Sequence, residues 1–112
     1  MFGFFKKKAP EGSFIIVAVQ AAAMLRHTEN QNGGLYSSPE AIKLTVHSVA
    51  KQMNVELAGN LGEATQSCVM ALLMDQKFID GLLIRAKNGP IGTLTTRDED
   101  EIDRIVAPVF KG

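Results

Sequence analysis

The chain has 112 residues, with twelve basic and twelve acidic side chains and no net formal charge. That length gives one domain with one core and no room for two, and an apolar share of 46 % is well above that of a disordered chain. Neutrality argues against a protein built chiefly to grip nucleic acid through its phosphates, which needs a basic surface, and leaves room for a local basic patch.

Residues 1–12 read as an arm ahead of a single helical domain over 13–112. In the arm, Phe2, Phe4 and Phe5 precede Lys6, Lys7 and Lys8, the reverse of a secretory signal, where charge comes before the apolar stretch. Apolar anchors beside basic charge can hold a segment at an anionic membrane surface. The plainer reading folds Phe4 and Phe5 back on the core and leaves the lysines in water. The apolar stretch from Phe14 to Leu25 is about a dozen residues, short of the ~20 that a membrane-spanning helix needs. A cytoplasmic location is therefore expected.

Ser13 stands where it could cap a helix from Phe14 to His27. The β-branched cluster Ile15, Ile16 and Val17 could also open a strand, but Ala21–Leu25 are strong helix formers with no turn residue before them. Glu29–Ser37 reads as a loop, because Asn30, Asn32, Gly33 and Gly34 are turn residues. Ser38 and Pro39 then mark a helix start. Ile42, Val46, Val49 and Met53 follow at spacings of four, three and four, one face of an amphipathic helix.

Gly59 and Gly62 flank a short connection, and a further helix is expected from Glu63. Cys68–Met74 is seven apolar residues without a break. A helix apolar on all sides must be surrounded by others or lie between subunits. Asp75 and Gln76 interrupt it, and Phe78, Ile79, Leu82 and Leu83 resume at helical spacing. Arg85, Lys87, Asn88, Gly89 and Pro90 make a helix stop, with Gly89 as the left-handed residue. The competing reading is a β-hairpin over residues 82–95 turning at Asn88-Gly89, which Pro90 weakens. In the last helix Thr96 and Glu99 form the capping-box pattern. Ile102, Ile105, Val106 and Val109 share a face, and Pro108 is expected to end the helix.

Few residues suggest chemistry. His27, His47 and Cys68 lack metal-ligand spacing. The acidic cluster Asp98, Asp100 and Glu101 suits a helix start better than a calcium loop. No nucleophile elbow and no phosphate-cradling glycine motif occurs. Cys68, inside an apolar run, is expected to be a buried thiol that cannot form an internal disulfide. No metal and no cofactor is expected.

The fold expected is mainly α, a compact bundle of four to five helices, with the small hairpin near residues 82–95 as the alternative. The function expected is a non-catalytic protein–protein interaction module of adaptor, inhibitor or immunity type, homo-oligomeric and acting on another protein. Its apolar contact is expected at Val69, Met70, Leu73, Met74 and Phe78. Two alternatives stand beside it. One is a winged-helix DNA-binding regulator that uses the hairpin. The other is a small enzyme built on His27, His47 or Cys68.

Overall fold

The longest helix, α1 (Ala9–Asn32), determines the arrangement of the rest. Val17, Ala18, Val19, Ala21, Ala22, Ala23 and Leu25 are all buried, so its apolar side chains cover most of the helix circumference. Such a helix is stable only when others enclose it. Three do: α2 (Pro39–Gln52), α3 (Leu61–Met74) and α4 (Gln76–Arg85) each pack on α1. The alanines keep its surface low, which lets neighbouring axes come close. The last helix, α5 (Thr96–Lys111), packs mainly on α3. The computed structural model describes residues 9–33, 38–87, 89, 91–92 and 94–111, with side chains from Phe14 to Phe110 in those ranges. Among the described residues there is no strand, and no helix is long and apolar enough to cross a membrane. The mainly α bundle expected from the sequence is the fold found.

Several local expectations shift. Helix α1 begins at Ala9, so Ser13 lies inside it and is not its cap. Pro10 falls in the first turn, where a missing N–H costs nothing. Nor does α1 stop at His27. It runs on through Glu29 and Asn30, whose side chains are engaged with its own Arg26 and with Asp80 of α4. Gly33, with φ +72°, follows the helix in the left-handed conformation that glycine adopts freely. The start of α2 is as expected. Ser38 Oγ accepts the Ala41 N–H at 3.1 Å, Pro39 is the first helical residue, and Ile42, Val46 and Val49 are buried. Met53 sits just past the end of α2 and is exposed.

The central, more enclosed helix is α1, not α3. Within the apolar run of α3, Cys68, Val69 and Leu72 face the core, whereas Met70 is 52 % and Met74 85 % exposed. Asp75 breaks the chain between α3 and α4, and its carboxylate caps α4 by accepting the Phe78 N–H at 3.3 Å. In place of the first hairpin strand, Leu82–Arg85 is the last turn of α4, and no strand occurs among the described residues of 82–95. The left-handed residue after that turn is Lys87, φ +54°, and not Gly89.

The box that starts α5 lies one residue earlier than the sequence pattern suggests. Thr95 Oγ accepts the Asp98 N–H at 3.1 Å, and the Asp98 carboxylate accepts the Thr95 N–H at 2.9 Å. Asp98 also pairs with Arg85 of α4, so one carboxylate both caps α5 and ties it to α4. This explains why Thr95 and Asp98 are used rather than Thr96 and Glu99. Pro108 lies inside α5, which continues to Lys111.

Candidate functional site

Helices α2 and α4 flank α1 with little contact between the two. The gap leaves one strip of α1 uncovered. Gln20, Ala23, Met24 and His27 recur at three- and four-residue spacing and share that strip. Val49, Gln52 and Met53 form one wall. Leu83 of α4 and Gly89, in the connection over residues 86–95, form the other. The pocket they enclose has a volume of about 420 Å³, within the range of sites that take a small ligand or a partner's side chain.

The floor is apolar and buried: Ala23, Val49 and Leu83. Met24, 47 % exposed, and the exposed Met53 form the rim. Gln20 is already committed. Its Nε2 donates to the Ile91 carbonyl at 2.6 Å, and its Oε1 accepts the Ile91 N–H at 3.0 Å. One side chain thus satisfies both backbone groups of a residue 71 positions away and fixes the α4–α5 connection against α1. His27 and Gln52 have no hydrogen-bond partner among the described residues, so their polar atoms are free to meet an occupant.

A charge cluster beside His27 ties α1 to α4. The Arg26 guanidinium makes a two-pronged contact with Asp80, Nε to Oδ1 at 2.9 Å and Nη2 to Oδ2 at 3.1 Å. Asn30 Nδ2 adds a third bond to Asp80 at 3.3 Å. The Arg26 hydrogen bonds hold the Asp80 carboxyl below its usual range, against the opposing effect of burial. Glu29, only 4 % exposed, lies 3.4 Å from the same guanidinium. Buried charge of this kind is tolerated because it is paired.

The residues singled out for catalysis are not brought together in the pocket. His27 lines it, His47 is exposed on α2, and Cys68 is in the core. Burial pushes the Cys68 thiol up to about 12, which removes the thiolate that a nucleophile needs. Among the described residues no group of three His, Cys, Asp or Glu is placed to hold a metal. Among the described residues no strand supplies the wing that the winged-helix alternative uses.

The expected contact residues divide. Val69 is fully buried, so it serves the core and is not open to a partner. Leu73 and Phe78 are half-buried and packed against the core. Met70 and Met74 stand exposed one turn apart on α3, and Met74 edges a shallow depression with Ala71, Ile105 and Pro108. Phe2, Phe4, Phe5, Lys6, Lys7 and Lys8 lie outside the described residues. Sequence reasoning missed Gln20 and the strip it starts. The available signal was that Gln20 is the one polar residue between Phe14 and Leu25. Compared with known proteins, the chain matches no family model, no curated protein and no solved structure.

Proposed function

We propose that the protein is a non-catalytic interaction module of the adaptor, inhibitor or immunity kind, which takes an apolar side chain of a partner protein into the pocket between α1, α2 and α4. The supporting observation is the pocket itself: a buried apolar floor under a rim of two methionines. Methionine is unbranched and polarisable, and it reshapes around what it touches. His27 and Gln52 can then bond the partner's backbone beside the anchor. Burying one Leu or Phe side chain contributes about 1.5–3 kcal/mol, so the anchor serves as the centre of a larger contact. A cytoplasmic location goes with this reading, supported by a chain with a single cysteine.

The test compares capture of partners from an extract of the protein's source by the wild type, Met24→Asp and Met53→Asp, after circular dichroism has shown that both variants fold. A partner held by the wild type and lost by both variants supports the pocket. An unchanged set of captured proteins refutes it.

The exposure of Met70 and Met74, one turn apart on α3, favours a second reading, self-association through that face. Sedimentation equilibrium distinguishes it. A wild-type dimer that Met74→Asp converts to a folded monomer supports it, and a wild type that stays monomeric across the concentration range refutes it.

A further inference from the structure

Ala23 puts only a methyl group on the strip of α1 between Gln20 and His27, so room remains there between Val49 of α2 and Leu83 of α4. The resulting volume, about 420 Å³, is close to three times the roughly 150 Å³ of an apolar cavity that takes one benzene ring. A single leucine or phenyl side chain leaves much of it empty, and lining atoms that face empty space forfeit their contacts. The chemistry of the lining narrows the occupant further. None of the described residues that line the pocket is Asp, Glu, Lys or Arg, and Arg26 and Asp80 alongside are spent on each other. A charged side chain would lose its water there with nothing to pair with. Met24 and Met53 bring two thioethers to the rim, and a thioether sulfur makes favourable contact with the edge of an aromatic ring. His27 and Gln52 each carry an acceptor, a ring nitrogen of the neutral imidazole and an amide oxygen, with no partner among the described residues. The pocket is thus large enough for two fused rings, uncharged, and provided with acceptors.

We propose that the side chain inserted by the partner is a tryptophan, an assignment that rests on the anchoring role proposed above for this pocket. The fused rings fill what one ring leaves empty. The indole N–H, which needs an acceptor once buried, donates to His27 or Gln52, and the other of the two remains for the partner's backbone. The chain itself contains no tryptophan, so the partner is a different protein and not a second copy of this one.

The test uses N-acetyltryptophanamide, a neutral stand-in for the residue within a chain, beside the corresponding amides of tyrosine, phenylalanine and leucine. Each is titrated into the isotope-labelled full chain, and the backbone amide resonances are followed. Because the protein has no tryptophan, the fluorescence of the tryptophan probe is also free of background and shifts to the blue as the indole leaves water. The tryptophan amide is expected to move the resonances of Ala23, Met24 and Met53, to leave those of Met70 and Met74 in place, and to bind several-fold more tightly than the other three. His27→Phe and Gln52→Leu together keep the bulk of the lining and remove both acceptors. This double variant, shown to be folded by circular dichroism, is expected to bind the tryptophan amide about five-fold more weakly and the phenylalanine amide no more weakly than the wild type does. Two results overturn the tryptophan assignment and leave an anchor of another kind: a tyrosine, phenylalanine or leucine amide that binds as tightly as the tryptophan amide, or a double variant with unchanged affinity for the tryptophan amide. No shift with any of the four probes overturns the assignment and the anchoring role with it.

Discussion

Replacing Gln20 by Ala isolates what fixes one wall of the pocket. The wild-type side chain donates to the Ile91 carbonyl at 2.6 Å and accepts the Ile91 N–H at 3.0 Å. Ile91 itself is buried, so water is poorly placed to replace both bonds. Losing each bond leaves one backbone group unpaired, at about 1 kcal/mol per group. The sum for Gln20→Ala is about 2 kcal/mol, a large share of a total stability on the order of 5–15 kcal/mol. Two readouts separate the causes. Denaturant unfolding gives the global loss. Amide hydrogen exchange at Ile91 gives the local one, expected to accelerate about 30-fold, the equivalent of 2 kcal/mol. Gln20→Glu is the companion variant. Its carboxylate can accept from the Ile91 N–H but cannot donate to the carbonyl, so it is raised in pKa and restores the pair only when protonated. Its deficit against the wild type should shrink in acid and grow as the pH rises. If Gln20→Ala changes stability by less than about 0.5 kcal/mol and leaves the Ile91 amide protected, the connection is held by the packing of Ile91 and Leu94, and the role given to Gln20 is wrong.

Four further outcomes follow from the burial, the caps and the charge pairs. Val69→Asp should prevent folding, since an unpaired charge in the core costs more than about 4 kcal/mol, whereas Met70→Asp should leave the thermal midpoint almost unchanged. Circular dichroism melts of the two, one position apart, test the split of α3 into core and surface. Thr95→Ala should lower stability by about 1 kcal/mol by removing the cap of α5, read from denaturant midpoints. Burial works to raise the Asp98 carboxyl, but Arg85 and Thr95 outweigh it and hold it below its usual range. A carboxyl depressed in the folded state contributes stability that is complete above the unfolded value and is lost as the pH falls through the folded one. The midpoint should therefore drop as the solution is acidified through and below the ordinary carboxylate range, and Asp98→Asn should flatten that drop. Cys68, pushed up to about 12 by burial, should resist a thiol-specific disulfide reagent at neutral pH and react only as fast as the protein unfolds; prompt reaction of the native protein would contradict its placement.

Where a local signal had one meaning, the sequence was enough. Ser38-Pro39 and the spacing of Ile42, Val46 and Val49 specify α2, and the bonds at Ser38 follow from its being a good acceptor next to a residue with no N–H. Signals failed where two neighbours could serve equally. Thr95 and Thr96, with Asp98 and Glu99, offer two overlapping capping boxes. Arg85, on a different helix, pairs with Asp98 and so favours the box that uses it. Asn88-Gly89 resembles a hairpin turn, but Leu82 and Leu83 bury their side chains only as part of α4. The central helix was the hardest to place. Continuous apolar runs in α1 and α3 look alike in composition, and only the packing reveals which one is enclosed. Alanine decides it, since Ala18, Ala21, Ala22 and Ala23 let three helices close on α1, while α3 turns Met70 and Met74 outward.

The pocket was invisible in the sequence because no one segment contains it, yet its stiffness follows from pairs that can be named. Gln20 fastens the connection behind α4 at one end, and Arg26 with Asn30 fastens Asp80 of α4 further along the same helix. Between these points lie Ala23, Met24 and His27. Helix α4 is thus tied to α1 on either side of the opening, by bonds whose loss would leave the Ile91 backbone groups or the Asp80 carboxylate without these partners. A wall fixed in this way does not move cheaply, so adaptation is left to the rim, where Met24 and Met53 can change rotamer without disturbing a hydrogen bond. A partner's apolar side chain would then be selected by a floor of fixed width and accommodated by two movable side chains. That division suits a module whose task is to bind and not to transform what it binds.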